Sequence, residues 1–546
     1  MADTTFASGT IVEAAWLNDV NKLRYGASNP ARGAALLQYY AEDSGTTSRD
    51  VQSRLRERKS VKDYGAVGDG VTDDSAAFAL AIASDRHIWV PPGTYAIDAS
   101  VTKSSIANFV LEGAGVDVTI FKCSSSATFA NIPLNFQSST DIKVKGITFD
   151  SNANASLGSL VIVRFVSCND FDFTDNRILH TYIGIGVDSC SRFRVQRNHI
   201  RKTALATTLN YNINVSSTNS VSRYGLISDN LFFNSGSGII GMDIKVLNNV
   251  FSGNSYGAGI ATFAQGAAGT TPGEFYGRYI ISGNLCLNGT QRDVDGFMVA
   301  GMEIAGPYSA VIGNIVATNA GEGIRLFAFE SVVANNVVYG NGTGADGTWK
   351  QAGIVPFDAT TIPGYNASYS LITGNRCFDN GGNTQTYGYY EQQSTLLGLQ
   401  VKGNDFGNNF TGPFVLASSK TANYYEFDDP ISYTPVMTSG TGTITTVGAC
   451  TGAYLLKGRM CYFQAQCTIT TNGGTAAGNI VITLPVTAAV ASGYRFVLAG
   501  RGDAISGNSL VGVIASGGTS IVLTNYDGTY PGANGERIAV SGWYQI

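Results

Sequence analysis

Between about Val61 and Phe410, apolar residues recur in short runs of period two, and many of these runs open on a glycine. Gly184-Ile185-Gly186-Val187, Gly259-Ile260-Ala261-Thr262, Gly301-Met302-Glu303-Ile304, Gly323-Ile324-Arg325-Leu326 and Gly353-Ile354-Val355-Pro356 share this form. Such alternation marks a strand with one buried face, so Ile185, Ile260, Met302, Ile324 and Ile354 point inward and the next residue in each run points out. A second motif, a β segment followed by an asparagine and an apolar residue, recurs at Asn176, Asn198, Asn230, Asn249, Asn284, Asn314, Asn336, Asn375 and Asn404, at intervals of 19 to 39 residues. Repeats of that length mean a solenoid. The shortest intervals hold three short strands with tight turns, and the longer ones add loops. The predicted fold is all-β, a right-handed parallel β-helix. Asparagine suits its turns because it tolerates left-handed backbone and its amide reaches the next coil.

Composition agrees. Gly accounts for 66 of 546 residues and charged residues for only 14%, against usual shares of about 7% and about 25%. Many tight turns and a surface of Asn, Ser and Thr follow from that. The net charge of -5 comes without a basic stripe, which argues against nucleic acid as partner. No run of 18 apolar residues spans a membrane, and the first ten residues lack the pattern of a secretory signal. With eight Cys, no CxxC pair and three His, the chain calls for no metal and no cofactor. Cys168 and Cys190 each stand eight residues before a repeat Asn. They read as stacked interior thiols rather than as a disulfide.

Ahead of the repeat stands SVKDYGAVGDGVTDDSAAFALAIAS (Ser60 to Ser84), then IWVPPGTYAI (Ile88 to Ile97). Thr72 or Asp73 is placed to cap a helix whose apolar residues are Ala76, Phe78, Ala79, Leu80 and Ile82. That helix is expected to plug the open end of the coil stack. The Gly-Asp-Gly loop lacks the phosphate-binding pattern. This segment resembles the opening of the pectate-lyase-like superfamily. Residues Thr5 to Ala27 and Thr46 to Gly70 resemble the start of bacteriophage tailspikes, whose short N-terminal part anchors the spike to the virion. From Tyr433 onward, short strands with glycine-rich turns suggest an antiparallel sandwich, similar to the C-terminal domains of tailspikes. The resemblance implies three parts: residues 1–59 as a head, 60–425 as the β-helix and 426–546 as a β-sandwich that supports trimers and touches sugars. It further implies a homotrimer on the virion tail, joined to the tail or an adaptor protein, that attacks bacterial capsular polysaccharide or O-antigen. Trp543-Tyr544 is a candidate sugar platform there, or sheet core, or a trimer contact.

Hydrolysis of a glycosidic bond needs two carboxyl groups, one to protonate the leaving oxygen and one to act on water or carbon. Along the outward column Gly186, Asn212, Ile240, Ala261, Glu303, Arg325 and Val355, Glu303 is the one acid. Arg325, on the next coil, is expected beside it, holding it ionised and orienting it, and is also a candidate substrate-binding residue. Glu322, in the turn entering the Arg325 strand, and Asp295 are the candidate second carboxyls, with Asp293 a rival. Asp243, in GMDIK, aligns either with GMEI or with a turn at Asp141. A second outward column, Phe263, Phe327 and Phe357, offers faces for sugar rings or for trimer contacts. The inserts Gln265 to Arg278 and Gly340 to Gln351, the latter carrying Trp349, leave the coils beside this surface. Should these acids not act, Asp188 and Asp358 in the grooves between subunits come next. Three rivals stand beside the glycosidase: a polysaccharide lyase, which needs a uronic acid substrate and a basic residue or Tyr as base, a non-catalytic receptor-binding fibre, and a bacterial secreted pectinase-like enzyme, against which the missing signal pattern and the tailspike-like head argue.

Overall fold

The computed structural model describes residues 38–39 and 45–546, apart from 124–132, 153–160, 180–182, 203–210, 255–256, 265–275, 291–298, 345–350, 359–364, 418–422, 428–429, 441–442, 474–477 and 490–494. Residues Thr5 to Ala27 of the predicted head lie outside the described residues. From Lys59 the chain winds as a parallel β-helix of three sheets. A front sheet of 12 strands runs from Val101–Ser104 to Gly412–Val415, and a second of 12 strands from Asp69–Asp73 to Arg376–Phe378. A third, the back sheet, stacks parallel strands from Lys59–Ser60 to Tyr424–Glu426. Ile185, Ile260, Met302, Ile324 and Ile354 are all fully buried, as period-two alternation requires.

The asparagines form one continuous ladder up the interior. Asn314, for example, donates from Nδ2 to the Ile281 carbonyl at 3.0 Å and to Oδ1 of Asn336 at 2.9 Å. Its own Oδ1 accepts from the backbone N–H of Asn284 at 2.9 Å. The left-handed residue is the one before each asparagine, not the asparagine itself: Asp175, Arg197, Asp229, Asn248 and Asn335 all have φ between 53° and 57°, and Gly283, Gly313, Gly374 and Gly403 complete the set. A second ladder, through Asn319, Asn341, Gln385 and Asn409, escapes the sequence reading because its spacing is masked by the long inserts. The glycine that opens each run is set by space. A Cβ on Gly323 would lie 2.2 Å from Val338 Cγ1 and 2.6 Å from the Gly353 carbonyl. Asn314→Ala is expected to cost about 2–4 kcal/mol, since each buried group left unpaired costs about 1–3. A thermal melt that leaves this variant at the wild-type midpoint would refute a stabilising role for the ladder.

The helix Ser75–Ser84 plugs the first coil, with Phe78 edge-on to Tyr95 and Phe121. Its N-cap is Asp74, not Thr72 or Asp73, although the Asp73 carboxylate does accept from the Ser75 N–H at 2.9 Å. Leu80 faces solvent, and the buried positions are Ala77, Phe78, Ala81 and Ile82. At the other end Tyr424–Glu426 pairs antiparallel with Thr443–Gly458, which begins an antiparallel sheet ordered through Met460–Gly473, Arg537–Gln545, Phe496–Gly502, Ser509–Ile514, Ser520–Asn525, Ile480–Thr483 and Met437–Ser439. Its apolar core is continuous with that of the β-helix. Cys168 and Cys190 are buried free thiols, 3.3 Å from the Cys168 N–H to Cys190 Sγ. Cys450 and Cys467, cross-strand neighbours in the last domain, form a disulfide that the sequence reading does not anticipate.

Candidate active site

The front sheet fixes the outward column by backbone register. It reads Asn135, Arg164, Gly186, Asn214, Gly238, Ala261, Glu303, Arg325 and Val355. Asn214 and Gly238 therefore stand where the sequence reading puts Asn212 and Ile240. Asn212 is buried, and Ile240 pairs with Phe263 in the second column. The inserts between coils shift the count by two residues, and the sequence alone gives no way to see it.

Glu303 and Arg325 are direct neighbours on adjacent strands. The Glu303 side chain retains 28% exposure, whereas that of Arg325 retains 4%. Arg325 Nη1 donates to Glu303 Oε2 at 3.2 Å. Its Nη2 and Nε donate to Glu322 Oε2 at 2.5 and 3.2 Å. One guanidinium thus joins two carboxylates. Glu322, expected in the turn entering the Arg325 strand, is fully buried, and its Oε1 has no hydrogen-bond partner among the described residues. The reason is local: Glu322 lies three residues before Arg325, and Gly301 N–H and Gly323 N–H are tied to the Glu322 and Ala352 carbonyls, which draws the turn against the coil body. Arg325, expected to face the ligand, is occupied in holding the two acids.

An aromatic wall rises beside this pair. Phe327 and Phe357 stack at 5.0 Å, and Tyr365 meets Phe327 edge-on at 5.8 Å. Phe357 is buried rather than presented to solvent, while Phe263 and Phe327 are half-buried. Tyr387 and Tyr390, 5.6 Å apart, pack with Phe327 over Ala352, Val355 and Phe357. Burial, and then the charge of Glu303, push the Tyr365 phenol up to about 12. The sequence reading misses Tyr365, Tyr387 and Tyr390. The YGYY run holds the last two, with Gly388 in the place of the other run-opening glycines, whereas Tyr365 belongs to a long insert without a repeat signal. Asp293, Asp295 and Trp349 lie outside the described residues. Asp243 sits in a left-handed turn, φ 57°, equivalent to Asp141, and is paired with Arg278 at 2.5 Å. That settles its alignment and removes it from the front sheet. Asp188 is buried beside Arg164 at 3.4 Å and accepts from the Thr218 N–H, and Asp358 is buried too.

Residues 59–346 match the family described as rhamnogalacturonase A/epimerase, pectate lyase-like. The pre-neck appendage protein of Bacillus phage B103 is 52% identical over 58 residues, and that of Bacillus phage phi29 is 39% identical over 140 residues. These stretches are 11% and 26% of this chain, but only 6% and 14% of the length of those proteins. Among solved structures, the Dettilon tailspike protein is similar over 97% of this chain and 100% of its own, with a TM-score of 0.57 at 15% identity. The chain thus belongs to the rhamnogalacturonase A/epimerase family of pectate-lyase-like proteins, with the architecture of a phage tailspike.

Proposed function

We propose that this chain is a virion tail spike that binds a bacterial surface polysaccharide, capsular or O-antigen, and cleaves within it by glycoside hydrolysis at Glu303. The observation that carries this reading is a partly exposed carboxylate, held by a buried arginine, at the foot of an aromatic wall on the outward sheet of a pectate-lyase-like helix. The likeness to phage appendage proteins and to a tailspike supports the place on the virion. An aromatic face binds the apolar side of a sugar ring, and an oriented carboxylate acts beside it. Glu303 would serve as base or nucleophile. Asp295, which precedes the Glu303 coil in sequence, is the proposed proton donor. Glu322 acts through Arg325 and is a positioning residue. Phe263, Phe327 and Trp349 would bind substrate, and the reading calls on no cofactor.

The test is incubation with purified capsules and O-antigens from a panel of bacteria. Hydrolysis releases reducing ends without a new chromophore. An unsaturated, ultraviolet-absorbing product would replace the hydrolase with a lyase, and binding without release would leave a receptor-binding fibre. We also propose that the spike is a homotrimer whose head, residues 1–59, joins the tail or an adaptor protein. Exposed Ile280 and Ile312 on the back sheet, with Tyr308 and Tyr369 in the turns that enter it, are apolar area for three copies to cover. Light scattering that returned a single chain of 57.4 kDa would refute the trimer.

A further inference from the structure

The helix that plugs the first coil has a second face. Its sequence, Ser75 to Ser84, contains no charged residue. Ala77, Phe78, Ala81 and Ile82 are buried against the coil stack, whereas Ala76, Ala79, Leu80 and Ala83 are exposed, Leu80 to 57%. Positions i, i+3, i+4 and i+7 of a helix form one row. The row that looks away from the stack is therefore as apolar as the row that looks into it. A helix at a protein surface ordinarily carries polar residues on its outer side, and one that is apolar all round is covered on both faces. The surface continues past the helix N-terminus. The Asp74 carboxylate accepts from the Val67 and Gly68 N–H groups at 2.7 and 3.1 Å, which holds Val67, itself 48% exposed, against that end. Among the described residues nothing packs over this row.

What covers it follows from where the chain comes in. Lys59 enters the first coil beside the helix C-terminus, its Nζ 2.6 Å from the carboxylate of Asp85, the residue that ends the helix. The strand Gln38–Tyr39 pairs antiparallel with Arg49–Asp50, so Gln38 stands opposite Asp50. That pairing returns the chain to within nine residues of Lys59, and a stretch of that length spans at most about 30 Å. The residues before Gln38 thus start within reach of the helix, which is about 15 Å long. Their sequence supplies a matching stripe. In TIVEAAWLNDVNKL, Thr10 to Leu23, the apolar residues Val12, Trp16, Val20 and Leu23 recur at helical spacing, and Thr10 with Glu13 makes the capping-box pattern of a helix start. Two apolar stripes of similar length are what a packed helix pair requires. A segment on so short a tether meets the exposed row at an effective concentration in the millimolar range, which favours it over any separate partner.

We infer that residues Thr10 to Leu23 of this chain dock on the outer row of the cap helix, Trp16 against Leu80, and so fix the head to the end of the β-helix. The docking is independent of the chemistry at Glu303, and its failure would leave that reading as it stands. The test is amide hydrogen exchange of the full chain, read by mass spectrometry on peptides of the head and of the cap helix. Residues 10–23 should exchange at least tenfold faster in Leu80→Asp than in the wild type. Trp16→Asp, which replaces no residue of the β-helix, should in turn speed the exchange of residues 76–84, while peptides beyond Val101 stay unchanged. Should Leu80→Asp loosen the β-helix as a whole, Trp16→Asp alone decides. Complete exchange of residues 10–23 at the earliest time in the wild type overturns the docking, as does protection that neither variant changes. The source of the segment is read from Trp16→Cys combined with Leu80→Cys under mild oxidation, with each single variant as control. A disulfide within one chain is expected. A disulfide between chains overturns the assignment in favour of a neighbouring copy, and the absence of both overturns the pairing of Trp16 with Leu80.

Discussion

Glu303→Gln is expected to lower the rate of polysaccharide cleavage by about 10²–10⁴-fold, the usual contribution of a catalytic acid–base group. Binding of the polysaccharide should hardly change, because the amide keeps the shape of the side chain and the aromatic wall is untouched. Stability should change by no more than about 1 kcal/mol, since the ion pair is partly exposed and such pairs contribute little. Arg325 remains bound to Glu322 in this variant, so no buried charge is left alone. The assay is initial rate of reducing-end release, with melting temperature and polysaccharide affinity measured on the same preparation. Asp295→Asn belongs beside it, and rescue by azide of either variant would mark the carboxylate that attacks carbon. If Glu303→Gln keeps more than about a tenth of wild-type turnover, the catalytic carboxyls lie elsewhere. Asp188 and Asp358 would be the next acids to replace, although both are buried within their own chain.

The coil repeat was legible because interior positions obey one rule at every level of the stack. Ile324 and Ile354 alternate with Arg325 and Val355 whatever loop lies between them, and a buried asparagine must find its partner one coil away. Glu303 beside Arg325 follows from the same rule, applied to two runs that both begin Gly-x-x-x with no insert inside the run. Positions outside the runs were not legible. Asn212 and Ile240 are displaced by two residues from the outward column because inserts shift the count between coils. The depth of Glu322 was hidden for another reason: its place in the turn entering the Arg325 strand says nothing of burial, and only the guanidinium of Arg325, folded back over three residues, makes that burial tolerable. Tyr365 reaches Phe327 from a long insert, a contact set by tertiary packing and by no local pattern. The disulfide between Cys450 and Cys467 was invisible for want of a register, which two long strands supply once they pair.

Arg325→Ala is expected to destabilise the β-helix by about 3–5 kcal/mol, the cost of removing one partner from a buried ion pair. The carboxylate of Glu322 is fully buried and receives both Nη2 and Nε of Arg325. Without them it would face the interior as an unpaired charge, which is the larger part of the cost. Glu303, by contrast, would turn to water and lose little. Arg325→Lys should be intermediate, because an ammonium supplies charge but not the fork that reaches two carboxylates at once. The double replacement Glu322→Leu with Arg325→Met should recover most of the lost stability, since apolar side chains of similar size can replace a buried pair at little cost. It should not recover cleavage, because Glu303 would have lost the group that orients it. Unfolding followed by denaturant, with rates measured on the wild type, Glu322→Leu, Arg325→Met and the double variant, gives the coupling between Glu322 and Arg325 directly. A double variant no more stable than Arg325→Ala would mean that the cost lies in packing around the guanidinium stem and not in the charge of Glu322. Recovery of stability together with full turnover would mean that Glu303 acts without Arg325, and the proposed reading of the triad would fail.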